Sequence, residues 1–269
     1  MNDALFVRGE GDWVTPTELA RGPWSADALH GGPVAALVAG VGEQTMHREA
    51  AAPLQVTRLT LDLERPVPLA PIHATARVVR PGRKVTVVEV ELHDADDRRL
   101  ARASLLGIRT DAVDLPADRP QPADVPPAAP GSLPAMRPEA RWDVGQTAFH
   151  ADGVEHRFAL GGFLDRGPAA DWIRQAVPVL ADEEPSPLQR VAAAADFGNG
   201  ISSVVDPMRW AFVNPDLTIT LHRPAAGAWI GVDAVTRLEA TGLGASESDL
   251  FDEQGRIGQA VQTLLVEAR

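Results

Sequence analysis

"LTLDLERP" at residues 59–66 and "LTITLHRP" at residues 217–224 agree at five of eight positions, with an offset of 217 − 59 = 158. Both alternate apolar and other residues at period two and stop at Arg-Pro, the signature of a half-buried strand. Two strand-like runs follow each copy. In the first half these are "HATARVV" and "KVTVVEVELHDADDRRLARASLLGIR"; in the second they are "WIGVDAVTRLEA" and "GASESDLFDEQGRIGQAVQTLLVEAR". The last run of each half is broken by a polar turn, "HDADDR" or "FDEQGR", suited to a hairpin. An alanine-rich helical stretch precedes each repeated strand: "GGPVAALVAGVGEQTMH" from residue 31 and "SPLQRVAAAADFGN" from residue 186. Pro33 and Pro187 fit a first helical turn, and Ser186 is a good N-cap.

Each half is therefore a strand, a helix and several antiparallel strands, an α+β unit whose sheet must wrap the helix to bury the helix's apolar face. Between them runs "DAVDLPADRPQPADVPPAAPGSLPAMRP", residues 111–138, too rich in proline for a helix or a central strand. The expected organisation is two units, 1–110 and 141–269, joined by a proline-rich linker over 111–140.

Composition narrows the chemistry. The 269-residue chain has no cysteine, which removes disulfides, thiolate nucleophiles and zinc–cysteine sites. Its net charge of -12 argues against a surface that tracks nucleic-acid phosphates. No apolar run is long enough to span a membrane, and the start MNDALFVRGEGD lacks a signal-peptide pattern, so a cytoplasmic protein is expected. The basic cluster "RPGRK", with Arg80, Arg83 and Lys84, is the one local candidate for a small polyanion, although such clusters are more often solvated turns.

The order of elements, with "HGGPVAAL" at 30–37, "DWIRQAVPVL" and then "AAAADFGNG" in the second half, "FVNPDLTITLHRP" at 212–224 and the terminal "AVQTLLVEAR", resembles the TesB-like (type II) acyl-CoA thioesterases. That resemblance implies a double hot-dog: two tandem helix-plus-sheet repeats forming one continuous sheet wrapped around two long helices. It also implies hydrolysis of acyl-CoA without cofactor, metal or covalent triad. In that family an Asp on the second-half helix, a hydroxyl on the following strand and a Gln on the last strand hold the attacking water. Asp196 and Gln262 match the first and last. Asn214 stands at the hydroxyl position, a departure from the pattern, and Thr218 could substitute if it shares Asn214's face. A Gln at 262, where the repeat places about Leu105, needs a buried partner.

The resemblance and the residues together assign His30, Gly31, Gly32, Thr218, Arg80, Arg83 and Lys84 to substrate binding. His30 reads as a hydrogen bonder at a helix start, and the glycines permit close backbone approach at a helix N-terminus where an oxyanion could sit. The start of the second helix, "SPLQ", offers the same opportunity. Glu43 is the rival carboxylate, read as surface or interface. The six tryptophans read as core or dimer contacts, and Asp94, Asp96 and Asp97 as a solvated turn. A homodimer or larger assembly is expected. Two alternatives stay open: an acyl-ligand binder without chemistry, and a hot-dog hydratase or dehydratase, whose Asp would need a His partner that no residue near 196 in sequence supplies.

Overall fold

The computed structural model of the protein describes residues 4–49, 52–120, 122–138, 146–181 and 183–269. Trp142 and the last two residues of the expected linker, 139 and 140, lie outside them. Strands β1 (Phe6–Arg8) and β2 (Trp13–Pro16) precede helix α1 (Gly31–Glu49); β3 (Leu54–Leu63), β4 (Ile72–Arg80), β5 (Val85–His93) and β6 (Arg99–Arg109) complete the first half. The second half repeats this order with β7 (Val154–Leu160), β8 (Ala169–Gln175), α2 (Pro187–Ala195) and α3 (Gly198–Ile201). After them come β9 (Trp210–Val213), β10 (Asp216–Leu221), β11 (Trp229–Leu238), β12 (Leu243–Asp252) and β13 (Gly255–Ala268).

All thirteen described strands form one antiparallel sheet, ordered β1-β2-β4-β5-β6-β3-β10-β13-β12-β11-β8-β7, with β9 paired to β13. The order reads as a half and its mirror image about the β3–β10 seam. The quoted repeat explains why. Thr60 and Thr218 are 158 residues apart and face each other directly in that seam, with Thr218 Oγ1 3.4 Å from Thr60 Oγ1. An approximate two-fold axis therefore passes between two copies of one strand. Leu59, Leu61, Leu217, Ile219 and Leu221 turn inward from it, all less than about a twentieth exposed.

The helices lie antiparallel inside the curled sheet. A Cβ on Gly32, at the start of α1, would come within 2.7 Å of the Ala193 carbonyl near the end of α2, and a Cβ on Gly40, further along α1, would collide with Gln189 near the start of α2. Small residues on both helices set this close approach. Ser186 caps α2 as expected: its hydroxyl accepts from the Gln189 N–H, and the side-chain Oε1 of Gln189 accepts from the Ser186 N–H at 2.9 Å. This capping box engages the Ser186 and Gln189 N–H groups of "SPLQ", at the end of α2 remote from Asp196.

One feature departs from the expected pair of long helices. α1 has 19 residues, but α2 has 9 and stops at Ala195, after which Asp196 and Phe197 turn the chain before the four-residue α3. Alanine propensity carries the helix to residue 195 and no further, because the Asp196 N–H bonds back only two residues, to the Ala194 carbonyl. Within the proline-rich segment, the Ala128 carbonyl accepts from Trp172 Nε1 at 2.8 Å and the Pro130 carbonyl from Arg157 at 2.7 Å, so this stretch lies against β7 and β8.

Candidate active site

The helix break puts Asp196 where the two helices meet. Ala192 to Ala195 are all buried, and their small side chains let Asp196 lie against the first turn of α1. A Cβ on Gly31 would stand 2.6 Å from both carboxylate oxygens. Gly31→Ala is therefore expected to displace the carboxylate and lower kcat/KM about tenfold or more, with little change in melting temperature; activity within twofold of wild type would show that the fit is not required.

Three side chains converge on this carboxylate, itself 6 % exposed. His30 Nδ1 lies 2.9 Å from Oδ2; Asn214 Nδ2 donates to Oδ1 at 3.0 Å; Gln262 Nε2 donates to Oδ1 at 3.4 Å and to the Asp196 backbone carbonyl at 3.3 Å. His30 Nδ1 is also 3.0 Å from the Gly32 N–H. One ring nitrogen cannot serve both contacts at once: carrying a proton it donates to Asp196, and bare it accepts from Gly32. Phe149 and Phe197 pack against the His30 ring, at 5.2 and 4.7 Å between centroids, and fix its plane.

A buried hydrogen-bond chain leads from this carboxylate into the second-half sheet. Gln262, 1 % exposed, accepts from the Asn199 N–H through Oε1 at 3.1 Å. One residue earlier, the Gly198 carbonyl accepts from Ser202 Oγ at 2.7 Å, and Ser202 Oγ is 2.7 Å from Thr236 Oγ1. Gln262 is held from both ends and does not reach the adjoining cavity.

That cavity, of about 450 Å³, is bordered by Asp196, His30, Gly31 and Asn214, with Asn199 on one side. Leu29, Val34, Val67, Phe197, Ile201 and Leu265 make much of the remaining wall apolar. Gly32 lies behind it, against Ala193 and Phe149. Thr218 is not in it. Asn214 belongs to the bend between β9 and β10, so the strand parity that linked 214 to 218 does not run through Pro215, and Thr218 faces outward beside Thr60. Arg80, Arg83 and Lys84 form the exposed β4–β5 hairpin; the Arg109 N–H donates to the Lys84 carbonyl beside the Leu54 end of β3. The cavity adjoins the Leu63 end, about 30 Å away along the strand. Glu43 does not border the cavity either.

Sequence reading missed Trp24, His150 and Asn199, all of which border the cavity. Trp24 sits in an irregular segment before α1. His150 lies in a single π turn, Phe149–Gly153, and its carbonyl is 3.0 Å from Nε2 of buried His156. Asn199 stands within "AAAADFGNG" without a signal of its own, Trp24 and His150 lie in no motif, and only the folded chain brings the three together.

The approximate two-fold axis creates a matching position in the first half, and there every polar group is replaced. Gly42 abuts Leu105 and Val90, whereas its counterpart Gly198 abuts Gln262, Ser248 and Ser246. The sheet register pairs Val88 with Leu105, and Ser246 with Gln262, in the same way. At the helix offset of 198 − 42 = 156, Asp196 corresponds to Gly40 and His30 to Ser186, while the strand offset makes Val56 the counterpart of Asn214. One carboxylate site survives where the symmetry would allow two.

The model of the acyl-CoA thioesterase N-terminal domain matches residues 20–107, and that of the C-terminal domain matches residues 118–266. Among solved structures, a hot-dog protein of unknown function from Alicyclobacillus acidocaldarius superposes with a TM-score of 0.72 at 16% identity, covering 100% of this chain and 98% of that one. A tesB protein from Mycobacterium avium subsp. paratuberculosis gives 0.67 at 17%, with coverages of 97% and 95%. An acyl-CoA thioesterase II from Mycobacterium marinum gives 0.62 at 14%, with coverages of 98% and 95%. No curated protein matches the sequence. Two domain models in order, over most of its length, place the chain in the TesB-like acyl-CoA thioesterase family, thioester hydrolases with the hot-dog fold.

Proposed function

We propose that the protein hydrolyses acyl-CoA to free acid and CoA at the Asp196 site, by direct attack of water. The observation that supports this reading is the Asp196 carboxylate, held by His30, Asn214 and Gln262 at the border of a largely apolar cavity. Water beside Asp196 gives its proton to the carboxylate as its oxygen adds to the thioester carbon. Asn214 spends its amide N–H on Asp196 and keeps its carbonyl oxygen to accept from that water, which fills the place of the family's hydroxyl. The developing oxyanion faces the first turn of α1, where Gly31 carries a helix N-terminal N–H and the dipole favours negative charge. Collapse breaks the C–S bond, and the thiolate takes the proton back from Asp196. Gln262 positions the carboxylate rather than the water.

Release of thiol from a panel of acyl-CoAs of increasing chain length tests the proposal; no release from any member would overturn it. A second reading has one observation in its favour: the fold brings His30 to Asp196, supplying the Asp–His pair that a hydratase would need. Hydration of an enoyl-CoA faster than thiol release would favour that chemistry instead.

A further inference from the structure

The wall of the cavity contains a feature that thioester cleavage does not use. Trp24 borders it and is held on one side by the edge of Phe212, 5.1 Å between ring centroids. Over the Trp24 ring, at 5.1 Å from its centroid, stands the guanidinium carbon of Arg269. Backbone pairing fixes the end of β13 here: the Arg269 N–H donates to the Arg209 carbonyl at 3.1 Å.

Arg65 also borders the cavity and is exposed. Its neighbour Glu64 borders the cavity too; it lies 2.8 Å from Arg99, whose hydrogen bond, with Arg65 among the nearby charges, holds its carboxyl below the ordinary range. Among the described residues neither Arg65 nor Arg269 has a carboxylate within ion-pair distance, in a chain whose net charge is -12 and in which many other arginines are paired. Arg65 on the cavity wall, with Glu64 beside it, and Arg269 over the Trp24 ring supply two guanidiniums outside any ion pair and an aromatic ring, a set that matches a ligand carrying phosphates and a purine. Guanidinium groups bind phosphate through paired, charge-assisted hydrogen bonds, and an indole with an arginine beside it stacks a base.

We propose that Arg65, Arg269 and Trp24 bind the 3′-phosphorylated ADP portion of CoA, leaving the pantetheine arm to reach Asp196. The inference rests on the acyl-CoA reading of the same cavity and adds its nucleotide subsite. It also moves that subsite away from the Arg80–Lys84 hairpin, the place suggested by the basic cluster in the sequence.

The test compares the CoA thioester and the pantetheine thioester of one acid, as the ratio of their kcat/KM values, in the wild type and in the double variant R65A/R269A. Adenosine 3′,5′-bisphosphate is titrated against both proteins in parallel. The double variant is expected to lower the ratio at least tenfold and to weaken the bisphosphate by a similar factor, while R83A/K84A leaves both as in the wild type. A ratio within twofold of wild type in R65A/R269A, or an equal loss in the hairpin variant, would overturn the assignment. If the wild type cleaves neither ester, the hydrolase reading fails by itself, and bisphosphate binding alone decides the subsite. Binding lost in R65A/R269A supports it, and binding unchanged sinks it.

Discussion

Asp196→Asn is expected to lower kcat/KM for acyl-CoA by at least about a hundredfold, the usual scale for a lost general base. The substitution preserves volume, so packing against Gly31 survives. What it removes is a full acceptor to which Asn214 Nδ2 and Gln262 Nε2 both donate and which His30 Nδ1 faces at 2.9 Å. An amide offers one oxygen and turns its own N–H groups toward donors, and it cannot take the proton of the attacking water. The first half supplies no reserve, because Gly40, Val56 and Leu105 stand at the positions corresponding to Asp196, Asn214 and Gln262. Turnover equal to wild type would remove Asp196 from the chemistry.

The second large effect concerns stability. His156 and Asp171 are both about 1 % exposed, with His156 Nδ1 2.5 Å from Asp171 Oδ2. The other ring nitrogen faces the His150 carbonyl at 3.0 Å, and Asp171 Oδ1 accepts from the Arg157 N–H at 3.0 Å. Burial pushes the Asp171 carboxyl above its ordinary range, with the attraction of His156 opposing. Asp171→Ala leaves a buried imidazole without its partner and is expected to cost about 3–5 kcal/mol, the range for breaking one side of a buried pair. Because the His150 carbonyl is the other anchor of His156, the loss also loosens the cavity wall. A thermal unfolding curve checks this; a melting temperature shifted by less than about 2 °C would contradict it.

The fold was legible because its strands carry strong period-two patterns and because the chain contains its own comparison. The 158-residue offset between "LTLDLERP" and "LTITLHRP" is the same offset that places Thr60 opposite Thr218 in the sheet. The second helix was harder to read. Four consecutive alanines report helix propensity well and "FGNG" signals an end close by, but the strength of those signals suggested a helix longer than the nine residues of α2, which stops at Ala195.

The candidate site was legible in part. Asp196, Asn214 and Gln262 do converge in space, and Gln262 has the buried partners that its polar character in an apolar strand demanded. His30 was seen as a hydrogen bonder, but its distance of 2.9 Å to Asp196, 196 − 30 = 166 residues away in sequence, depends on two helices meeting at their ends. Thr218 was misplaced because strand parity was carried across Pro215, where the chain bends between β9 and β10. The RPGRK cluster was read from charge alone. Which end of the sheet receives that hairpin is decided by the pairing of β6 with β3, a long-range matter that sets Arg109, beside Lys84, opposite Leu54. Trp24 was read as core or dimer contact because an aromatic residue in an irregular segment gives no sign of what it will border.

Passage of the acyl group through an Asp196 anhydride opened at its aspartyl carbon, the alternative to direct attack, can be read in the product. Hydrolysis of an acyl-CoA in water enriched in oxygen-18, with enzyme in excess so that each active site turns over once, is predicted to place one heavy oxygen in the released acid and none in Asp196. Unlabelled acid, or a heavy oxygen found in the Asp196 carboxylate, would mean that the acyl group passed through an anhydride with that residue and would contradict the mechanism.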